Sequence, residues 1–257
     1  VPDLTPVQRA SLDAVRASSV SMDRLADAFA AAGYEFYLVG GSVRDALRAE
    51  IGQDLDFTTS ARPDEIEALV RTLTRTVWDV GRDFGTIACQ LTEPDGSRRL
   101  VEITTFRADT YSEDSRKPEV VFGDHLGGDL IRRDFTVNAM ALDMATGGLL
   151  DPFGGLSDLG DQLIRTPAAP ELSFSDDPLR MMRAARFTSQ LGFVCVPEVV
   201  DAMTSMASRL AIVSAERIRD ELVKLLLTDD PRPGLDLLVQ TGIAEIVLPE
   251  LPALQME

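Results

Sequence analysis

Two carboxylates set two residues apart, Asp54 and Asp56, follow a glycine pair, Gly40-Gly41, by little more than a dozen residues. In a strand, residues i and i+2 leave the same face, so Asp54 and Asp56 would project together while Leu55 and Phe57 enter the core. Two adjacent carboxylates repel unless a cation sits between them. Oxygen ligands suit Mg²⁺, and a pair of such ions about 4 Å apart can clamp the attacking and leaving oxygens of a phosphoryl-type transfer. A third acid would complete the set. Glu102, between Val101 and Ile103 in an apolar run, has the placement expected on a second strand.

The elements that must hold these groups can be read nearby. Phe36-Tyr37-Leu38-Val39 is a short apolar run ending at Gly40-Gly41, and Val43 to Arg48 then reads as helical. A strand, a tight turn and a helix start bring backbone N–H groups toward an anion without a Cβ in the way. Arg44, in the first turn of that helix, adds a positive fork for phosphate oxygens. Taken singly, the glycine turn could be only a turn and the Asp pair only a solvated loop; their order and spacing point to a site.

Gly40-Gly41-Ser42-Val43-Arg44-Asp45 with Asp54-Leu55-Asp56-Phe57 resembles the first motif of the class II nucleotidyltransferases. That family contains the CCA-adding tRNA nucleotidyltransferases and bacterial poly(A) polymerases, within the DNA polymerase β-like superfamily. The resemblance implies an α+β fold: a nucleotidyltransferase head with a small mixed sheet, followed by an all-α neck. It covers most of the chain.

At 257 residues and 45% hydrophobic, the sequence can bury one large core or two modest ones. No run approaches the ~20 apolar residues of a membrane span, and no signal-peptide pattern opens the chain, so the sequence reads as soluble and cytoplasmic. Cys89 and Cys195 sit far apart in apolar contexts, as buried thiols rather than a disulfide or zinc site, and His125, the lone histidine, reads as a surface loop residue. The net charge of −17 argues against a broad nucleic-acid surface. Only Lys117 and Lys224 are lysines, so nearly all positive charge is arginine, the better residue for phosphates and base edges.

Residues 7–32 have helical periodicity through Leu12, Val15, Met22, Leu25 and Phe29, ending at Gly33, and predict one packing helix. Residues 63–74 predict a helix opened by Pro63 with Ile66, Leu69, Val70 and Leu73 inward. Residues 77–80, 85–91 and 99–105 alternate like strands, the last two joined across Pro94-Asp95-Gly96. Residues 106–119 are polar and charged, a connection or a flap that closes over nucleotide or primer. The expected organisation is an N-terminal helix over 1–32, a catalytic head over 33–165 and a helical, nucleotide-selecting neck over 166–257, with further C-terminal domains expected beyond it.

Arg132-Arg133-Asp134-Phe135-Thr136-Val137-Asn138-Ala139 places Asp134 near a helix start with Phe135, Val137 and Met140 buried. Arg133, Asp134 and Asn138 are then candidates for ribose and phosphate contacts, and the stretch resembles a second family motif. Asp151-Pro152-Phe153-Gly154-Gly155-Leu156 resembles the hinge between head and neck, and from Phe174 onward the pattern reads as helical throughout.

Asp176-Asp177-Pro178-Leu179-Arg180, continuing through Arg183 and Arg186, resembles the motif by which family members choose the incoming nucleotide. Asp177 would cap a helix with Pro178 at its first position. The resemblance implies acceptor and donor roles for Asp177 and Arg180. A carboxylate accepts from the exocyclic amino group of cytosine or adenine, and a guanidinium donates to the adjacent ring nitrogen; uracil and guanine reverse both polarities. Arg183 and Arg186 rotate away along the helix and serve phosphate or neighbouring side chains; three arginines without interleaved acids would repel one another unless an anion is bound. Ser214 to Leu222 resembles the last family motif, with Glu216 and Arg217 as candidate partners for Arg183 or Arg186.

The resemblance implies template-independent addition of C and A to the 3′ end of tRNA from CTP and ATP, with Mg²⁺ and release of pyrophosphate. Poly(A) polymerase activity, or addition of CC or A alone, shares the same motifs. A small-molecule nucleotidyltransferase would need no Asp177/Arg180 selector, and a non-catalytic nucleotide sensor or RNA-binding module would need no paired carboxylates.

Overall fold

The computed structural model describes residues 4–50, 55–107, 122–123 and 125–250. Asp54 and most of the 106–119 segment lie outside them. Residues up to Arg133 together with Asn138–Leu156 form one compact unit; Asp134–Val137 together with residues from Ser157 onward form a second. The division differs from the expected one at 165/166. It falls after Leu156 because β8 (Leu163–Ile164) pairs with a strand of the second unit and Ile164 belongs to that unit's core. Among the described residues, no helix is long and apolar enough to cross a membrane.

The first unit begins with two helices where the periodicity predicts one: α1 (Pro6–Ala17) and α2 (Val20–Ala31). The break is local chemistry. Ser18 Oγ donates to the Val15 carbonyl at 2.7 Å, and Ser19 Oγ accepts the Met22 N–H at 2.9 Å, so the two serines end one helix and cap the next. All five expected apolar positions, Leu12, Val15, Met22, Leu25 and Phe29, are buried. These helices do not stand apart as a separate domain; α1 packs on α3 (Gly41–Leu47) and α2 on β1 (Phe36–Val39).

β2 (Leu55–Thr59), β3 (Val77–Trp78), β4 (Thr86–Thr92), β5 (Arg98–Thr105), β6 (Ala141–Asp143) and β7 (Leu149–Leu150) join β1 in a mixed seven-stranded sheet ordered β3-β4-β5-β2-β1-β6-β7. Only β2 and β5 pair in parallel; the other ladders are antiparallel. One face is apolar, with Leu55, Phe57, Ile87, Cys89, Val101 and Ile103 buried, and the rings of Phe29, Phe36 and Phe57 stack at 4.3 and 4.5 Å. α4 (Pro63–Val70) covers part of that face through Ile66 and Val70, but it ends before Leu73, which is exposed rather than inward as its spacing predicts. α5 (Leu126–Ile131) follows, with His125 exposed at its N-terminus, as expected.

Asp151, in the stretch read as the hinge, opens α6 (Gly155–Asp161) by accepting the N–H groups of Gly155 and Leu156 at 2.7 and 2.9 Å. The second unit continues through α7 (Pro170–Asp176), α8 (Leu179–Leu191), β9 (Val194–Cys195), α9 (Pro197–Met206), α10 (Ala215–Leu226), α11 (Arg232–Gln240) and α12 (Ala244–Val247). Its pattern is not helical throughout: Val194 and Cys195, in an apolar run bounded by Gly192 and Pro197, form β9, which pairs with β8. α8 is the spine of this unit, flanked by α10 and α11 around a core that includes Phe135, Phe174, Met181 and Leu238. Both cysteines are free and buried, as the sequence predicts.

Candidate active site

In the first unit the site rests on the β1–α3 turn and the β2–β5 ladder. Gly40 adopts φ 70°, ψ −139°, and a Cβ there would lie 3.2 Å from Arg133 Nη1 and 3.9 Å from Asp56 Oδ2. Glycine at 40 therefore lets a guanidinium and a carboxylate close over the turn. Gly41 carries no such demand: it is the first residue of α3, and an added Cβ would make an ordinary 3.4 Å contact with Arg44.

Asp56 lies directly opposite Glu102 in the parallel ladder, flanked by Leu55 opposite Val101 and Phe57 opposite Ile103. Paired residues share a face. The apolar neighbours are buried while Asp56 and Glu102 are exposed, so both acids stand on the open side of the sheet. The Asp56 N–H donates to Ser42 Oγ at 3.4 Å, tying β2 to the glycine turn. No group of three acidic, histidine or cysteine side chains with metal-holding geometry occurs among the described residues, which exclude Asp54. The donor set that is described, two neighbouring carboxylates, fits a hard divalent cation such as Mg²⁺.

Arg44 is buried and its fork is engaged within the protein. Nε and Nη2 donate to the two carboxylate oxygens of Asp45 at 2.7 and 2.9 Å, and Nη1 donates to Asn138 Oδ1 at 2.8 Å. Sequence reasoning sees Arg44 and Asn138 as two separate ligand contacts; the fold makes them one hydrogen-bonded unit behind the glycine turn. Arg133 Nη2 donates to Asp129 Oδ2 at 2.9 Å. Arg133, Arg132, Arg107, Asp129 and Thr104 line a cleft of about 200 Å³. Arg107 is a cation of the 106–119 stretch read as a connection or flap; Arg132 is the residue not singled out from the sequence, although two consecutive arginines were a visible signal.

The second unit holds the other candidate set, on and around α8. Pro178 is the N-cap by backbone geometry, one residue later than expected, yet Asp177 still supplies the cap: its Oδ1 accepts the Leu179 N–H at 3.2 Å. Asp177 Oδ2 accepts from Arg217 Nη2 at 2.9 Å. Arg180 is buried, and its Nη1 donates to Ser173 Oγ at 2.8 Å and to the Ser173 carbonyl at 3.3 Å, fixing the fork's direction. Arg217 was expected at Arg183 or Arg186, and instead serves Asp177; Glu216 is exposed.

The carboxylate that serves the arginine series is Glu221, which sequence reasoning passed over. Its Oε2 accepts from Arg186 Nε at 2.7 Å, and its Oε1 lies 3.8 Å from Arg183 Nη1. Asp134 takes Arg183 through Nε at 2.9 Å and Nη2 at 2.5 Å. Acids from outside the helix thus neutralise arginines that would otherwise repel, and no bound anion is required for that. Burial works against the charge on Arg183, but Asp134, Glu221 and Asp177 together raise its pKa above the usual guanidinium value. Arg186 also lies over the Phe187 ring at 4.2 Å. Asp134, expected beside Arg133 and Asn138 as a ribose or phosphate contact, sits in the second unit as the partner of Arg183.

Residues 36–165 match the family model described as the Poly A polymerase head domain. The chain belongs to that family, which includes the class II CCA-adding enzymes. Residues 192–254 match a second model, described as the probable RNA and SrmB-binding site of polymerase A. The CCA-adding enzyme of Bacillus velezensis is 46% identical over 225 residues, covering 87% of this chain and 53% of the relative. That of Bacillus subtilis is 45% identical over 222 residues, with coverages of 86% and 52%. The chain spans about half the length of the curated relatives it matches.

Among solved structures, the Bacillus stearothermophilus CCA-adding enzyme in complex with CTP superposes with a TM-score of 0.75 at 35% identity, over 93% of this chain and 53% of that one. A tRNA nucleotidyltransferase complexed with a primer tRNA and an incoming ATP analog gives 0.71 at 30% identity, over 87% and 62%. As a poly A polymerase head, the chain has the expected α+β class: a mixed sheet followed by a helical region.

Proposed function

We propose that this chain carries the catalytic and nucleotide-selecting parts of a template-independent nucleotidyltransferase that adds C and A to the 3′ end of tRNA from CTP and ATP. The reading rests on the ladder that sets Asp56 beside Glu102 on an open sheet face, next to a glycine turn that a side chain would obstruct. Asp54, Asp56 and Glu102 would hold Mg²⁺, which when bound neutralises phosphate charge and acidifies the attacking 3′-hydroxyl. Gly40, Gly41, Arg44 and Arg133 form a positive, backbone-lined wall for the triphosphate, with Asn138 and Asp45 keeping Arg44 in place. Positioning and electrostatic stabilisation supply most of the rate in such transfers.

Asp177 and Arg180 read the base. The Asp177 carboxylate, oriented by Arg217, accepts from the amino group of C or A; the Arg180 fork, oriented by Ser173, donates to the neighbouring ring nitrogen. Arg183 and Arg186 are positioning residues, locked by Asp134 and Glu221. The relatives named CCA-adding enzymes support tRNA as substrate and favour CCA addition over poly(A) synthesis.

Primer extension tests this, with Mg²⁺, single labelled nucleotides, and three acceptors: tRNA lacking CCA, tRNA ending in CC, and a generic RNA. The expected result is CC and then one A on tRNA alone, abolished in Asp56→Ala. Long A tails on any RNA would make the enzyme a poly(A) polymerase. Nucleotide binding without incorporation would remove the catalytic reading.

A further inference from the structure

The open face of the sheet carries an aromatic side chain in the same row as its carboxylates. The ladders pair Trp78 with Ala88, Ala88 with Glu102, and Glu102 with Asp56. Directly paired residues share a face, so a tryptophan, a methyl group and two acids form one line across four neighbouring strands. With strands about 4.8 Å apart, the Cα of Trp78 lies roughly 10 Å from that of Glu102, and nothing larger than the Ala88 methyl stands between them in the row.

Trp78 is 42% exposed on the edge strand, and it is the chain's only tryptophan. Leu100, one pair along the same face of β5, is 38% exposed, and Arg98, the next residue of that face, is exposed as well. The core lies on the opposite face, where Ile87, Cys89, Val101 and Ile103 are buried, so packing does not explain the indole's position. An exposed aromatic in the row of acids, with an aliphatic side chain and a cation farther along the same face on β5, matches one occupant: a single nucleic-acid strand, with a base on the ring and its backbone running over the face toward the arginine.

We propose that Trp78 is a stacking platform for an upstream base of the RNA 3′ end, with Leu100 and then Arg98 farther along the same face on β5, within reach of the strand's backbone. The proposal rests on the nucleotidyl-transfer reading of Asp56 and Glu102. At about two strand spacings from Glu102, the stacked base precedes the one being extended. Every base has a π-face, so stacking holds a strand regardless of sequence and with less reliance on charge. That suits a chain of net charge −17, for which phosphate neutralisation alone is a poor source of affinity.

Because Trp78 is the only tryptophan of the 257-residue chain, its intrinsic emission reports this site directly. Titration with an RNA hexamer ending in CC should quench it saturably. Trp78→Ala should weaken binding of the end-labelled hexamer about tenfold by anisotropy, and Trp78→Phe should recover most of the loss. In extension assays Trp78→Ala should raise KM for RNA by a similar factor, leaving KM for CTP and kcat unchanged. Unaltered emission at the highest RNA concentration, or an alanine variant that binds and extends RNA like the parent, overturns the platform. Incorporation with a silent Trp78 removes the platform and leaves the enzyme reading intact. Saturable quenching and the Trp78→Ala binding loss without incorporation do the reverse.

Discussion

Glu221 gives the sharpest test of how α8 is held. Its carboxylate is buried and takes Arg186 at 2.7 Å, Lys224 at 3.2 Å and Arg183 at 3.8 Å. The Lys224 side chain is 59% exposed, so that contact is worth at most ~1 kcal/mol. Arg186 is the costly partner, because its side chain is 10% exposed and would keep its charge with no carboxylate to meet it. Removing one member of such a buried pair costs about 3–5 kcal/mol, so Glu221→Ala should lower the melting temperature by roughly 10 °C. Glu221→Gln keeps an acceptor for Arg186 Nε but loses the charge and turns an amide NH2 toward Lys224 and Arg183, and should cost about 2 kcal/mol.

The pH dependence has a definite sign. Burial raises the Glu221 pKa, but Arg186, Arg183 and Lys224 outweigh it and hold the value below the ordinary 4.5. A group whose folded pKa is depressed stabilises the fold above its unfolded pKa and loses that contribution as pH falls through the folded value. Urea unfolding of the parent should therefore weaken as pH falls below about 4.5, and Glu221→Gln should flatten that part of the profile. If both variants unfold within about 0.5 kcal/mol of the parent at neutral pH, Glu221 does not hold these arginines and the reasoning fails.

Gly234 lies where α11 meets α8: an added Cβ would come 2.3 Å from the Ala185 carbonyl oxygen and 2.6 Å from Leu225 Cδ1. Helix propensity favours alanine by about 1 kcal/mol, yet Gly234→Ala should be net destabilising by about 2 kcal/mol in urea unfolding, because the clash is with backbone; a more stable variant would refute the close approach. Burial pushes the thiols of Cys89 and Cys195 up to about 12 and about 11. Neither should react with iodoacetamide at neutral pH in the native protein, and both should in denaturant, counted by mass spectrometry.

The head was the more legible half of the molecule. Glu102 could be placed because alternation with Val101 and Ile103 fixes its face, and a strand register needs little more than alternation to bring it to Asp56. Local hydrogen bonding was harder to read: Ser18 and Ser19 sit inside a stretch whose apolar periodicity runs straight through them, and periodicity is blind to side chains that compete for the backbone. Glu221 was missed because its partner Arg186 is 35 residues away. A trace of it exists in the sequence, since Glu221 is four residues before buried Leu225 and so shares the inward side of α10. Charge balance between distant elements leaves no spacing pattern, which is why the arginine series looked self-repelling until Asp134 and Glu221 were seen beside it.

The parallel ladder between β2 and β5 also governs when a site can exist during folding. β4 and β5 form a local hairpin, whereas β2 reaches β5 only by closing a long stretch of chain, as the 46-residue separation of Thr58 and Thr104 shows. A slip of one residue in that late step would drive Asp56 toward the apolar face and Leu55 and Phe57 into water, a heavy penalty on both sides of the sheet. In such a slipped pairing Asp56 and Glu102 face opposite sides of the sheet, so the pair of acids comes together only when the central strands settle into alignment.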